Sequence, residues 1–236
     1  MADLLLLHAA LGARSQFDAL AGELGERFTI HSLDFEGHGE AGPSDRPFRI
    51  EAFAENVVAY LDRNALATVD IFGYSMGGYV ALHLAAVMPE RVGRIFTLGT
   101  KLRWDPETSA REVRMLDPET IARKVPRFAE QLERRHAGAG GWRLVLEKTA
   151  EMMIALGDSS PLTDERFGSI AHRVRIGVGD RDATVGVEES AGVYRLLANG
   201  ELMVFPRTPH PIERAPIELI ASEIGRFFEL SSETVG

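Results

Sequence analysis

Short apolar runs alternate along this chain with longer stretches in which apolar residues return every third or fourth position. The runs fall at residues 4–7, 29–33, 69–72, 94–98, 174–178 and 202–205. Each is nearly continuous, as in strands covered on both faces. Between them the period is helical. Phe17, Leu20, Ala21 and Leu24 make one stripe, and Phe53, Val57, Tyr60 and Leu61 another. Ile217, Ile220, Ile224, Phe227 and Phe228 make the last, with Pro216 suited to its first turn. Strands alternating with helices of this length predict βαβ units and a mainly parallel sheet.

Residues 101–170 break the rhythm, with helical patterns and no strand signal. The clearest of these patterns runs over 142–156, where Trp142, Val145, Leu146, Thr149, Met152, Met153 and Leu156 share a face. The glycine–alanine run 137–141 ahead of it reads as a flexible joint. The expectation is a core formed by 1–100 and 171–236, with 101–170 as a small helical cap over the strand ends.

Composition narrows the function classes. With 236 residues the chain is long for one domain and short for two, so one domain with an insertion is the natural reading. A net charge of −9 argues against a nucleic-acid partner, which calls for clustered basic surface. Cysteine is absent, so disulfides and thiolate metal sites are excluded. The run 4–7 is too short for a signal h-region or a membrane span. These features are read as a soluble, cytoplasmic protein, monomeric or homodimeric, with a small-molecule substrate and neither nucleic-acid nor membrane partners.

The chemistry is concentrated at strand ends. Gly73-Tyr74-Ser75-Met76-Gly77 follows one apolar run and opens a helix that Pro89 stops. This is G-x-S-x-G in the strand–turn–helix context of a nucleophile elbow. So tight a turn strains its central residue and leaves no room for a Cβ at the flanking positions. The serine then projects above a helix N-terminus suited to a developing oxyanion.

A serine needs a base. Of seven histidines, only His210 lies in the loop after the last strand, stiffened by Pro209 and Pro211. His83, inside the helix after the elbow, reads as a packing or surface residue, and His31, His136 and His172 as solvated. No two histidines have metal-ligand spacing. The acid should follow the preceding strand, where Asp180 and Asp182 both qualify. The order Ser…Asp…His is that of α/β-hydrolases.

On these residues the chain resembles the α/β-hydrolase superfamily, in its capped esterase and carbon–carbon hydrolase branch. His8-Ala9-Ala10-Leu11-Gly12 resembles the family's oxyanion loop, which implies the N–H groups of Ala10 and Met76 as the oxyanion hole. Asp34-Phe35-Glu36-Gly37-His38-Gly39 resembles a turn whose histidine is structural, a role the resemblance gives to His38 and His8. Gly179-Asp180-Arg181-Asp182 resembles the family's Gly-x-x-Asp and places the acid at Asp182. Two departures are Ala9 and Pro209, where the family usually has glycine. The family's N-terminal hairpin has no counterpart before residue 4.

The expected architecture is a three-layer α/β-hydrolase fold with a six-stranded, all-parallel sheet ordered 2-1-3-4-5-6, the cap lying between strands four and five. The expected activity is hydrolysis of a small, fairly apolar carboxylic ester through an acyl-enzyme on Ser75, with His210 and Asp182 and no cofactor or metal. Trp104, Phe128, Trp142, Met152 and Met153 are the candidate pocket residues. The alternatives are a carbon–carbon bond hydrolase, a lyase of the menaquinone-pathway type and a non-enzymatic binding protein. The lyase would call for basic residues where Tyr79 and Ala81 stand. Dehalogenase and epoxide-hydrolase chemistry uses an aspartate where Ser75 stands.

Overall fold

A computed structural model describes residues 1–229. Six strands form one sheet in the order β2-β1-β3-β4-β5-β6, and every pair in it is parallel. The strands are β1 (Ala2–Leu7), β2 (Phe28–Ser32), β3 (Val69–Tyr74), β4 (Val92–Leu98), β5 (Arg173–Gly179) and β6 (Asn199–Phe205). The expected topology is the one observed.

The helices that cover the sheet are α1 (Asp18–Leu24), α2 (Ile50–Arg63) and α3 (Met76–Val87). The stretch between β4 and β5 carries α4 (Pro106–Val113), α5 (Pro118–Lys124), α6 (Pro126–His136), α7 (Trp142–Asp158) and α8 (Asp164–Ser169). The chain continues through α9 (Val187–Tyr194) to α10 (Ile217–Glu229).

Alternation along β1 shows how three layers arise. Leu5 and Leu7 join the core beneath α2 and α3, with Phe53, Val57, Val80 and Leu84. Leu4 and Leu6 point to the other face and meet Phe17, just before α1, with Leu20 of α1 and Ile224 and Phe227 of α10. The central strands are therefore apolar on both faces. The sheet's margins depart from that reading: most of β2 and β6 is only half-buried, because an edge strand has one neighbour instead of two.

The insertion is locally well specified. Asp105 and Asp117 each open an Asp-Pro-Glu-Thr sequence and accept the N–H of Thr108 and Thr120, both at 2.7 Å, capping α4 and α5. Thr163 caps α8 through the Arg166 N–H. The run 137–141, expected to be a flexible joint, is an ordered 3-10 turn ending in Gly140 and Gly141 at φ 89° and 94°. Only glycine takes such angles at low cost.

The insertion also shares the main core. Met152, Leu156, Leu162, Phe167 and Ile170 lie in one cluster with β3 and β5 residues, while Ile121, Leu132, Trp142 and Leu146 form a small cluster of their own. Among the described residues, no helix is long and apolar enough to cross a membrane.

Candidate active site

The elbow lies where β3 turns into α3. Ser75 sits there at φ 52° and ψ −118°, a conformation that L-residues rarely adopt. Three contacts enforce it. The Ser75 N–H donates to the Leu98 carbonyl at 2.8 Å, and the Ser75 carbonyl accepts from Thr100 Oγ1 at 3.0 Å and from the Gly78 N–H at 3.0 Å. The glycines around it are dictated by space. A Cβ at Gly73 would lie 2.4 Å from Gly78 Cα, and one at Gly77 would lie 2.1 Å from the Leu7 carbonyl oxygen. The doubled glycine is also accounted for, since a Cβ at Gly78 would meet Thr100 Oγ1 at 2.1 Å.

The loops after β5 and β6 are joined by their backbones. The Asp180 N–H donates to the Phe205 carbonyl at 3.0 Å and the Arg181 N–H to the Thr208 carbonyl at 3.2 Å. Asp180 turns back on this junction, its Oδ1 accepting the Thr208 N–H at 3.1 Å. Asp182 faces the other way. Its Oδ2 lies 2.8 Å from His210 Nδ1, and its Oδ1 accepts the N–H groups of Thr184 and Val185, both at 2.8 Å. The Asp182 side chain is 2% exposed, so bulk water does not compete for the imidazole. Of the two candidate acids, Asp182 is the one that meets His210.

His210 is held from a second side. The hydroxyl of Tyr74, the residue before Ser75, donates to the His210 carbonyl at 2.7 Å. Burial pushes the Tyr74 phenol up, with Glu213 adding to the effect, so it stays a donor. Gly99, at φ 59°, passes beside the acid–base pair: a Cβ there would lie 3.2 Å from Asp182 Oδ2 and 3.3 Å from His210 Nδ1.

Ser75, Ala10 and Met76 line one pocket. Its walls include Ile50, Tyr79, Trp104, Met152, Met153 and Leu156, and its polar margin includes Lys101, Glu112 and Thr184. The Tyr79 hydroxyl is 2.7 Å from Ser160 Oγ, and burial pushes its phenol up to about 12. Lys101 Nζ is 3.0 Å from Glu189 Oε2, so that cation enters the margin already paired.

Two of the five expected pocket residues lie elsewhere. Trp142 is buried inside the insertion's own cluster, and Phe128 is 36% exposed on α6. A helical apolar stripe shows that a side chain is covered but not by what. Trp104, Met152 and Met153 do line the pocket.

The histidines expected to be solvated also need correction. His136 is fully buried, with Nδ1 accepting the Gly39 N–H at 3.2 Å and Nε2 3.2 Å from the Leu11 carbonyl. His31 Nε2 is 2.9 Å from Asp3 Oδ1, and His172 Nε2 is 3.0 Å from the Pro89 carbonyl. His83 is a packing residue, buried on α3. His8 and His38 hold backbone groups of the turns around them, as the resemblance implied.

Sequence reasoning missed Gly99, Tyr74, Tyr79 and Lys101. Gly99 had a signal, a glycine just past the apolar run at 94–98; the other three had none. Among the described residues, no three His, Cys, Asp or Glu side chains are placed to hold a metal ion.

Comparison with known proteins bears on the family and the fold. Residues 4–165 match the alpha/beta hydrolase fold family. A segment of 87 residues, 37% of this chain, is 42% identical to a pimeloyl-[acyl-carrier protein] methyl ester esterase of Neisseria meningitidis, of which it covers 32%. The chain thus aligns with about a third of the length of that relative. Among solved structures, a serine hydrolase from Cycloclasticus zankles superposes with a TM-score of 0.83 at 19% identity, over 99% of this chain and 92% of that one. The 2-hydroxy-6-oxo-6-phenylhexa-2,4-dienoate hydrolase of a Rhodococcus superposes with a TM-score of 0.79 at 23% identity, over 97% and 91%. At such identities the two structures establish the fold alone. With the family match over most of its length and the strand order already described, the chain belongs to the alpha/beta hydrolase fold family.

Proposed function

We propose that the protein is a serine esterase that cleaves a small, fairly apolar carboxylic ester. Ser75 is the nucleophile, His210 the base and Asp182 the acid that orients it. The observation that carries this reading is the 2.8 Å contact between His210 Nδ1 and Asp182 Oδ2, with the carboxylate's other oxygen held by two backbone N–H groups. With its Nδ1 hydrogen committed to Asp182, the neutral imidazole keeps its lone pair on Nε2, the nitrogen a serine proton needs.

In this mechanism His210 takes the hydroxyl proton as Ser75 Oγ adds to the ester carbonyl. The tetrahedral oxyanion is held by the N–H groups of Ala10 and Met76, the second at the start of α3, where the helix dipole also favours negative charge. Imidazolium then returns the proton to the departing alcohol, leaving an acyl-enzyme. Water activated by the same imidazole adds to the acyl carbon, and collapse of that adduct frees the acid and restores the serine. Asp182 stabilises the imidazolium in both halves.

The pocket supports the substrate class. Its walls are mostly aliphatic, aromatic and thioether groups, which suits a small, fairly apolar acyl group. The methyl-ester esterase named above supports ester cleavage over the other reactions of this fold.

The test is a fluorophosphonate label located by mass spectrometry, followed by turnover on p-nitrophenyl esters of increasing acyl length. The expected result is one label, on Ser75, and a kcat/KM that peaks at short or medium chains. A wild-type protein that stays unlabelled, or that cleaves a diketone in preference to every ester, overturns the reading.

A further inference from the structure

Three consecutive carbonyls in the loop after β1 each face a histidine. His8 Nδ1 is 2.8 Å from the Ala9 carbonyl, His38 Nε2 is 2.8 Å from the Ala10 carbonyl, and His136 Nε2 is 3.2 Å from the Leu11 carbonyl. These histidines come from the loop itself, from the turn after β2 and from the end of α6. All three are fully buried.

For His8 and His136 the partners fix where the protons lie. Phe35 N–H donates to His8 Nε2 at 3.1 Å and Gly39 N–H to His136 Nδ1 at 3.2 Å. A ring nitrogen that accepts carries no hydrogen, so the other nitrogen of each neutral ring does. His8 and His136 therefore donate to the Ala9 and Leu11 carbonyls. The Leu11 carbonyl also accepts from Arg135 Nη1 at 2.8 Å.

Peptide geometry carries these contacts to the proposed oxyanion hole. In a trans peptide the C=O and N–H point in opposite directions. Holding the Leu11 carbonyl therefore aims the Gly12 N–H, which donates to the Ala9 carbonyl at 2.9 Å. Holding the Ala9 carbonyl in turn aims the Ala10 N–H. A side chain of the helical insertion thus reaches the oxyanion donor through two linked peptide planes.

We propose that His136 is a positioning residue for ester hydrolysis, directing the Ala10 N–H through the Leu11 carbonyl and so tying the seating of the insertion to the oxyanion hole. This rests on the serine-esterase reading above. It assigns His136 no contact with substrate. Burial, with His38 alongside, pulls the His136 imidazole down to about 4, so the ring is neutral at working pH, as its two hydrogen bonds require.

The two amides that resemble parts of imidazole separate positioning from plain support. Gln places an N–H near Nε2 and keeps a donor for Leu11; Asn places its oxygen near Nδ1 and keeps only the acceptor for Gly39. Kinetics of the full chain on one activated ester should show His136→Gln within about threefold of wild type in kcat. His136→Asn should lose about tenfold in kcat with KM nearly unchanged, less than the roughly 10²–10³ lost with a whole oxyanion donor. The rate of fluorophosphonate labelling should fall in parallel while its end point stays at one label on Ser75. His172→Gln, far from the loop, should match wild type.

Equal kcat in the Gln and Asn variants, or a loss seen only in KM, overturns the proposal while leaving the triad intact. If the Asn variant is unfolded by circular dichroism, His136→Phe decides. This variant keeps the ring's bulk but removes the donor to Leu11, and an unchanged kcat there overturns the proposal. A wild-type protein that neither labels nor turns over sinks the esterase reading itself and this inference with it.

Discussion

The carboxyl edge of the sheet and the helical insertion contribute to the same pocket, but they are built on different principles. At the edge the proposed reacting groups are placed by backbone bonds between neighbouring loops, such as Ser75 N–H to Leu98, Gly99 N–H to Gly177 and Asp180 N–H to Phe205. The insertion contributes through side chains: Trp104, Met152 and Met153 in the wall, Ser160 on Tyr79, and Arg135 and His136 on the loop after β1. Backbone bonds between adjacent strand ends leave little freedom, whereas side chains from a separate layer can be exchanged without rebuilding the sheet. The edge is therefore suited to the reaction and the insertion to the choice of substrate.

The largest expected effect lies at the edge. Ser75→Ala should remove all labelling and lower turnover by about 10⁶, as loss of a serine nucleophile does. Its melting temperature should stay close to wild type. Residual ester cleavage at more than about one hundredth of the wild-type rate, in a preparation shown free of wild type by mass, would break the comparison at its base.

The two aspartates sharpen it. Asp182→Asn should cost about 10⁴ in kcat, because the wrong imidazole tautomer is then favoured. Asp180→Asn should cost no more than about tenfold and act mainly on stability, by about 1 kcal/mol, since its carboxylate serves the Thr208 N–H. Paired kcat values on one ester, with circular dichroism as the folding control, decide the matter. A larger loss for Asp180→Asn would put the acid at the wrong residue.

Elsewhere in the insertion, away from the pocket and the loop after β1, the expected effects fall on stability. Trp142→Ala empties a small buried cluster and should cost about 3–5 kcal/mol in urea unfolding, with kcat on a short ester in the folded fraction within about threefold. The buried histidines add a dependence on acid. His136 is depressed to about 4 from 6.5, facing His38, His8, Arg135 and Asp34. The unfolded chain takes up that proton first, so stability present above pH 6.5 is lost as pH falls toward 4, by about 3 kcal/mol for this group. Urea midpoints at pH 7, 6, 5 and 4 should fall progressively, and less steeply in His136→Gln. The smallest effect is expected at Phe128→Ala, within about 0.5 kcal/mol and with unchanged kinetics, because that ring is exposed.

What was legible in the sequence follows the same division. The strand order and the elbow could be read because their geometry demands particular residues at short spacing, and the Asp182–His210 pair because each residue falls just past an apolar run. Glycine flanks Ser75 because a Cβ at 73, 77 or 78 has no room. The insertion was readable only as helix. Nothing in the periodicity of 142–156 distinguishes Met152, which lines the pocket, from Trp142, which faces the insertion's own interior. His136 was misread for a related reason. Its partners, Gly39 and Leu11, are backbone groups far away in the chain, and backbone carries no letter in a sequence. The edges of the sheet were read as more buried than they are, since an apolar run does not announce how many neighbours its strand will have.

The half-covered edge strand has a consequence for heat tolerance. His210 hangs from β6, which pairs with β5 alone, whereas Ser75 follows β3, which is flanked on both sides. Marginal strands breathe at temperatures where the centre of a sheet is still closed. The proposed base is thus mounted on the part of the sheet expected to open first, and the proposed nucleophile on the part expected to open last. Hydrolysis should fade several degrees below the cooperative melt and return on cooling, with amide exchange quickening over 199–205 before it does over 69–74. The temperature limit of hydrolysis is then expected to follow the fraying of one seven-residue strand before the melting of the whole.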